Sequence, residues 1–280
     1  MKVSRMMLTL VILACSLASP AQAAFPGGIY QFAIPDGAHT VRFQDRPVLQ
    51  IAGQALIGIP ISTPPGNLEL TYQTGVGADS QTHRHSFAVV DKTYTEQHIT
   101  IENQDLVSPP PETQARISEE AVRQRKLYRA YQPQHSLTDG FKQPLQGIIT
   151  SLFGHRRFFN GQPRNPHSGL DIAADTGTPI DAAGSGVVTL ADDLYFNGNT
   201  VFIDHGQGLI TMYCHMSRID VEAGQRVQLG ETIGAVGATG RVTGPHLHWS
   251  VSLNGTRIDP QHFVSVVAQL LHSEATASGA

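Results

Sequence analysis

Three places along the 280-residue chain hold side chains whose types and spacing suit metal-assisted chemistry. The first is His246-Leu247-His248-Trp249-Ser250-Val251-Ser252-Leu253, which alternates polar and apolar residues at strand period. Side chains two apart share a strand face, so His246, His248, Ser250 and Ser252 point one way and Leu247, Trp249, Val251 and Leu253 the other. Two imidazoles on one face aim nitrogens at a common point, which suits a metal ion and an adjacent acid/base group. The second place is His167-Ser168-Gly169-Leu170-Asp171. A straight strand would set its His and Asp roughly 13 Å apart, near the limit of what one ion can bridge; a bend at Gly169 brings them within easy reach. The third is Tyr213-Cys214-His215, where parity places Thr211, Tyr213 and His215 on one face and turns Ile210, Met212 and Cys214 to the core.

A zinc site built for catalysis needs three protein ligands and an open position for water, whose pKa falls from roughly 16 to about 7 beside the ion. His167, Asp171 and one of the paired histidines supply three ligands. The two remaining histidines then stand beside the metal as acid/base or oxyanion-stabilising groups. Other polar residues weigh less. His83-Arg84-His85 shares a strand face but has no nearby Asp, Cys or third His, and reads as a solvated strand end. His205 reads as structural and Cys214 as a small buried core residue. His155-Arg156-Arg157 is either a solvated turn or a binder of a substrate carboxylate.

The elements that must position these residues follow from composition. Met1 to Ala23 combines a basic start (Lys2, Arg5), a short apolar run and Ala21-Gln22-Ala23, the pattern of a secretory signal peptide cleaved before Ala24. A competing lipoprotein reading would make Cys15 a lipidated N-terminus. Cleavage leaves 17 basic against 23 acidic residues, a net charge of −6 that gives no reason to expect nucleic acid. Only Cys214 survives cleavage, so no intramolecular disulfide forms. No later run is apolar for long enough to span a bilayer.

The chain as a whole reads as mainly β. Residues 24–107 form a small antiparallel β-sandwich, with strands that include Gln97 to Glu102. Residues 108–140 form a linker stiffened by Pro109-Pro110-Pro111 and a connecting helix within Glu112 to Tyr131. Residues 141–272 form a second, compact antiparallel β domain that ends in a short helix over Gln261 to Leu271, and residues 273–280 a disordered tail. A sandwich tethered in this way can lie against a groove and limit access to it.

His167 to Asp171, Tyr213-Cys214-His215-Met216 and Gly244-Pro245-His246-Leu247-His248 together resemble the motif set of the lysostaphin-type (LytM, M23) zinc endopeptidases of bacterial cell walls. The likeness covers about Phe141 to Pro260 and also takes in Ser151-Leu152-Phe153-Gly154, Gly198-Asn199-Thr200-Val201 and Asp204-His205-Gly206. It implies a compact antiparallel β fold with the site in a groove, one Zn2+ held by His167, Asp171 and His248, and a catalytic pair in His215 and His246. Met216 stands where the family more often has Leu. The Tyr that several members carry shortly before the first ligand is absent from Phe159-Asn160-Gly161-Gln162. The front half resembles, more loosely, the β-sandwich that precedes the peptidase in some proteobacterial members.

The resemblance implies a periplasmic, monomeric enzyme that hydrolyses peptide cross-links through peptidoglycan stem peptides. Two alternatives are a non-catalytic member that binds cell wall or activates an amidase, and a secreted glycyl-glycine endopeptidase.

Overall fold

The computed structural model describes residues 23–278. Residues 1–22, which carry most of the expected signal peptide and Cys15, lie outside the described residues. The front of the chain folds into two antiparallel sheets. One is ordered Arg46–Pro47, Ala38–Phe43, Gly66–Thr74, Gln81–Val89; the other Ile29–Ala33, Gln54–Gly58, Leu49–Ile51. Period-2 alternation drives Tyr30, Phe32, Val41, Phe43, Leu70 and Phe87 into the layer between them. Tyr30 and Phe87 stack at 3.9 Å with planes 5° apart. His85 joins this aromatic group through a 2.8 Å contact to the Tyr30 hydroxyl, and His83 contacts the Thr74 hydroxyl at 2.8 Å. The two rings thus have separate partners.

Gln54–Gly58 is nearly continuous in apolar residues, as a strand covered on both sides should be. Its sheet uses both faces. Ile57 belongs to the sandwich layer, whereas Ile29, Leu49, Ile51 and Leu56 enter the large core of the second half beside Leu253, Ile258 and Val266.

The run Gln97 to Glu102 departs from its expected place in the sandwich. Strand Glu96–Ile99 pairs in parallel with Arg156–Phe159, and Asn160 fastens the chain further by exchanging hydrogen bonds with the backbone of Ile101. The unmet edge of Arg156–Phe159 is the competing partner that no local pattern announces.

The spine of the second half is a sheet in the order Arg226–Val227, Gly186–Leu194, Gly198–Gly206, Leu209–Ile219, His246–Leu253, Leu170–Ala173, Ile148–Ser151, with all neighbours antiparallel. One face, with Trp249, Leu247, Tyr213 and Leu170, packs on Phe141 and on Phe263 and Val267 of a C-terminal helix. The other face carries the buried polar side chains of Asp171 and His248 and is covered further along by helix α1, Gln114–Tyr128, whose Tyr128 lies on Phe202, Ile210, Met212 and Cys214. Ion pairs Arg116–Asp193 and Arg123–Asp192 pin α1 along its length.

Helix α2, Pro260–Ser278, runs through most of the tail expected to be disordered. Asp259 Oδ1 caps it by accepting from the Gln261 N–H at 3.0 Å, and Pro260 takes the first turn. Once Phe263 and Val267 have fixed that start, propagation through Ala- and Glu-containing sequence is cheap.

Below the sheet His205 is fully buried, donating from Nδ1 to the Ser185 carbonyl (2.8 Å) and accepting at Nε2 from Thr211 (2.8 Å). Burial pushes its pKa from 6.5 down to about 4. In the unfolded chain the ring takes a proton near pH 6.5, so between pH 6.5 and about 4 the unfolded state binds more protons and stability falls as pH falls. The expected loss from this one ring is about 3 kcal/mol across that window. Urea midpoints at pH 7, 5.5 and 4 should show a smaller acid-induced drop in His205→Asn than in the unaltered chain; equal drops would assign the effect elsewhere.

Candidate metal centre

Asp171 and His248 are direct partners across neighbouring antiparallel strands, which puts both side chains on the same sheet face. His167 arrives from the preceding loop, and Gly169 makes the approach possible: a Cβ there would lie 2.4 Å from the Trp249 carbonyl oxygen and 2.8 Å from the His248 ring. Only glycine fits. His167 Nε2 lies 3.0 Å from Asp171 Oδ1 and 3.0 Å from His248 Nδ1, and the latter two atoms are 2.7 Å apart. Among the described residues this is the one such cluster of three or more His, Cys, Asp or Glu ligand atoms.

Partners on the far side of each ring decide which nitrogen faces the cluster. His167 Nδ1 donates to the Leu152 carbonyl at 2.7 Å, which leaves a lone pair on Nε2. Ser250 Oγ donates to the Ser168 carbonyl and must accept from His248 Nε2 at 3.0 Å, which leaves a lone pair on His248 Nδ1. Two imidazole lone pairs and a carboxylate oxygen therefore face one another with no proton to share, a donor set that calls for a cation. The triangle's edges approach the spacing of about 3.3 Å between ligand atoms in a tetrahedral site with zinc–ligand bonds of about 2.0 Å. The residues present fit a zinc ion.

Burial pushes His248 down to about 4, against the pull of Asp171, so the ring is neutral at pH 7. Asp171 is buried, and its inner oxygen, Oδ1, faces the lone pairs of His167 and His248. Its outer oxygen is also occupied: Arg157 Nη2 donates to Asp171 Oδ2 at 2.5 Å. Gln97 Oε1 holds the same guanidinium from Nε at 3.1 Å, and Ser151 Oγ accepts from Arg157 Nη2 at 3.1 Å.

His215 and His246 stand next to the cluster with ring centroids 4.9 Å apart, and His246 Nε2 is 4.0 Å from Asp171 Oδ1. Nδ1 of each donates to a carbonyl, Thr239 for His215 (2.8 Å) and Gly244 for His246 (2.9 Å), so both present a basic Nε2. Burial, then repulsion from His246, pushes His215 down to about 3.

Strand parity misplaced the neighbours of His215. Tyr213 and Thr211 face away from the cluster, and Cys214, opposite His248, is on the cluster's side under α1. His215 escapes that parity because its backbone is left-handed at φ 62°, an unusual conformation for a residue other than glycine. The Asn197 carbonyl accepts its N–H at 2.9 Å and holds the bulge. All five sequence-nominated residues are thus brought together. Arg157, Gln97, Ser151, Ser250 and Thr239 complete the site; of these the sequence offers a role only for Arg157, as a solvated turn residue or a binder of a substrate carboxylate, and not as the partner of Asp171.

Hollows flank the cluster. One of about 420 Å³ is lined by His215, His248, Phe196, Arg164 and Arg241; another of about 350 Å³ by Asp171, His246, Thr150, Thr243 and Pro245.

The family model for peptidase family M23 matches residues 165–260. The crystal structure of a Pseudomonas aeruginosa protein assigned to peptidase M23 is similar at 37% identity and TM-score 0.69, covering 87% of this chain and 96% of that one. Peptidoglycan DD-endopeptidase ShyC of Vibrio cholerae is 45% identical over 129 residues, 45% of this chain and 30% of ShyC. The DD-carboxypeptidase/endopeptidase Mpg of Neisseria meningitidis is 38% identical over 132 residues, 47% of this chain and 30% of Mpg. The match therefore spans less than a third of either curated relative. Similarity to the Pseudomonas aeruginosa protein runs through both halves of the fold, and the matched family segment carries every residue of the cluster, so the chain belongs to peptidase family M23.

Proposed function

We propose that the protein is a zinc endopeptidase that hydrolyses peptide cross-links of bacterial peptidoglycan. The observation that carries this reading is the convergence of three proton-free ligand atoms beside two further histidines whose basic nitrogens face the same space. The named activities of ShyC and Mpg support the substrate class. His167, Asp171 and His248 would hold the ion, which supplies Lewis-acid activation of water and of the scissile carbonyl. His246 and His215, oriented by their carbonyl partners, accept the proton of the attacking water. They then return it to the leaving amine, donating to the developing oxyanion on the way. A non-catalytic role has less support, since the ligand and proton-transfer positions are all filled.

We further propose export by the signal peptide to the periplasm, where this substrate lies. Among the described residues no helix is long and apolar enough to cross a membrane. A monomeric state belongs to the same proposal. Incubating the full chain with purified sacculi should release fragments whose masses identify cut cross-links, and chelation should stop it. Intact sacculi after incubation with zinc-loaded protein would sink the reading.

A further inference from the structure

The two hollows beside the cluster differ in charge. The larger is lined by Arg157, Arg164, Arg241 and Arg257, the last lying over the ring of Tyr128; the smaller, along Thr150, Ala173, Thr243, Gly244 and Pro245, has no Lys or Arg in its lining. Arg157 is matched by Asp171. Among the described residues, Arg164 and Arg241 form no ion pair with a carboxylate. Arg164 donates only to the Val107 and Pro163 carbonyls and to Gln162 Oε1. Arg241 gives one N–H to the Leu106 carbonyl at 3.3 Å, and its guanidinium lies between the rings of Phe159 and Phe196, 4.8 and 4.3 Å from their centroids. Each retains N–H groups beyond those used.

Two half-buried guanidiniums without a counter-charge repel each other, and burial together with Arg164 and Arg157 pushes Arg241 down to about 10. An anion between them relieves that repulsion. The aromatic clamp on Arg241 and the carbonyl contacts on Arg164 hold both groups in place beforehand, so little side-chain freedom is lost when the anion arrives.

We propose that Arg164 and Arg241 form a carboxylate subsite, which binds a free carboxylate of the substrate peptide on one side of the scissile amide. The hollow without Lys or Arg takes the other side. The inference rests on the peptidase reading above and fixes the polarity with which a cross-linked peptide lies across the site: its carboxylate-bearing part toward Arg164 and Arg241, its uncharged part toward Thr243 and Pro245.

The test uses two synthetic cross-linked stem peptides that differ only in whether the free carboxylates are amidated. The full-length zinc protein should favour the carboxylate form by roughly 10-fold to 100-fold in kcat/KM, mainly through KM, and less so at high salt. In Arg164→Gln and in Arg241→Gln the ratio between the peptides should shrink, and in the double variant approach one. Calorimetric binding of the same peptides to zinc-loaded His246→Ala should show the same preference without turnover. If Arg241→Gln disturbs its aromatic clamp and loses metal, Arg164→Gln alone decides. Equal use of both peptides by the unaltered protein, or an undiminished preference in a zinc-loaded Arg164→Gln, overturns the subsite. Cleavage of neither peptide overturns the peptidase reading itself, and the subsite with it.

Discussion

His248→Ala is expected to lose bound metal and activity together, whereas His246→Ala, two residues away on the same strand, keeps near-stoichiometric metal and loses turnover by roughly 100-fold to 10,000-fold. The difference follows from what each ring touches. His248 Nδ1 is one of three lone-pair atoms within about 3 Å of each other, so its removal opens the triangle. His246 Nε2 is 4.0 Å from the nearest of those atoms and belongs to none of the three contacts. His215→Ala should behave like His246→Ala, because Ala at φ 62° carries the same left-handed backbone as His and the metal triangle stays intact. Arg157→Gln should fall between, with metal affinity down roughly 10-fold to 100-fold, since Asp171 would lose the charged partner on its outer oxygen. Metal analysis of the purified variants beside their rates on a cross-linked muropeptide reads all four. Metal loss in His246→Ala equal to that in His248→Ala would show the ligand set to be wrong.

Removing residues 24–131 should yield an unstable protein rather than a more active one. If the front half were a tethered cover, its deletion would expose the groove and raise cleavage of soluble peptides. Yet Ile29, Leu49, Ile51 and Leu56 are buried in the core that also holds Leu253 and Ile258. Burying side chains of this size contributes about 1.5–3 kcal/mol each, so four approach the whole stability of an ordinary domain, about 5–15 kcal/mol. The deletion also removes Glu96–Ile99 from the edge of Arg156–Phe159 and Gln97 from Arg157. Loss of a cooperative melting transition, or a large drop in its midpoint, is the expected result. A soluble, zinc-loaded truncation with raised activity would restore the cover hypothesis.

Much of the site was legible because its residues obey local rules. Strand His246–Leu253 has the bounds its alternation indicates, and the bend that unites His167 with Asp171 sits at the glycine that permits it. What escaped was non-local or unsignalled. A left-handed histidine has no sequence mark, so parity sent Tyr213 to the site and Cys214 away from it. Gln97 reaches Arg157 only because two short strands some sixty residues apart pair in parallel, and Gln97 to Glu102 looks like any sandwich strand until that partner is known. The C-terminal tail was underestimated because small residues read as disorder when the cap at Asp259 and the anchors at Phe263 and Val267 are left out.

The sheet that buries both faces also ties the metal to the order in which the molecule can assemble. Leu56 and Leu253 meet only after closure of a loop of about 200 residues, an entropic cost that local helices and hairpins do not face. Leu253 ends the strand on which His246 and His248 stand, so the closure that seats this core also brings the ligands into line. Ion binding and long-range core formation are therefore linked equilibria: a cation that recognises only the closed arrangement draws the folding reaction toward it by mass action. An ion held by His167, Asp171 and His248 would then raise the folded fraction of the chain as well as complete the site.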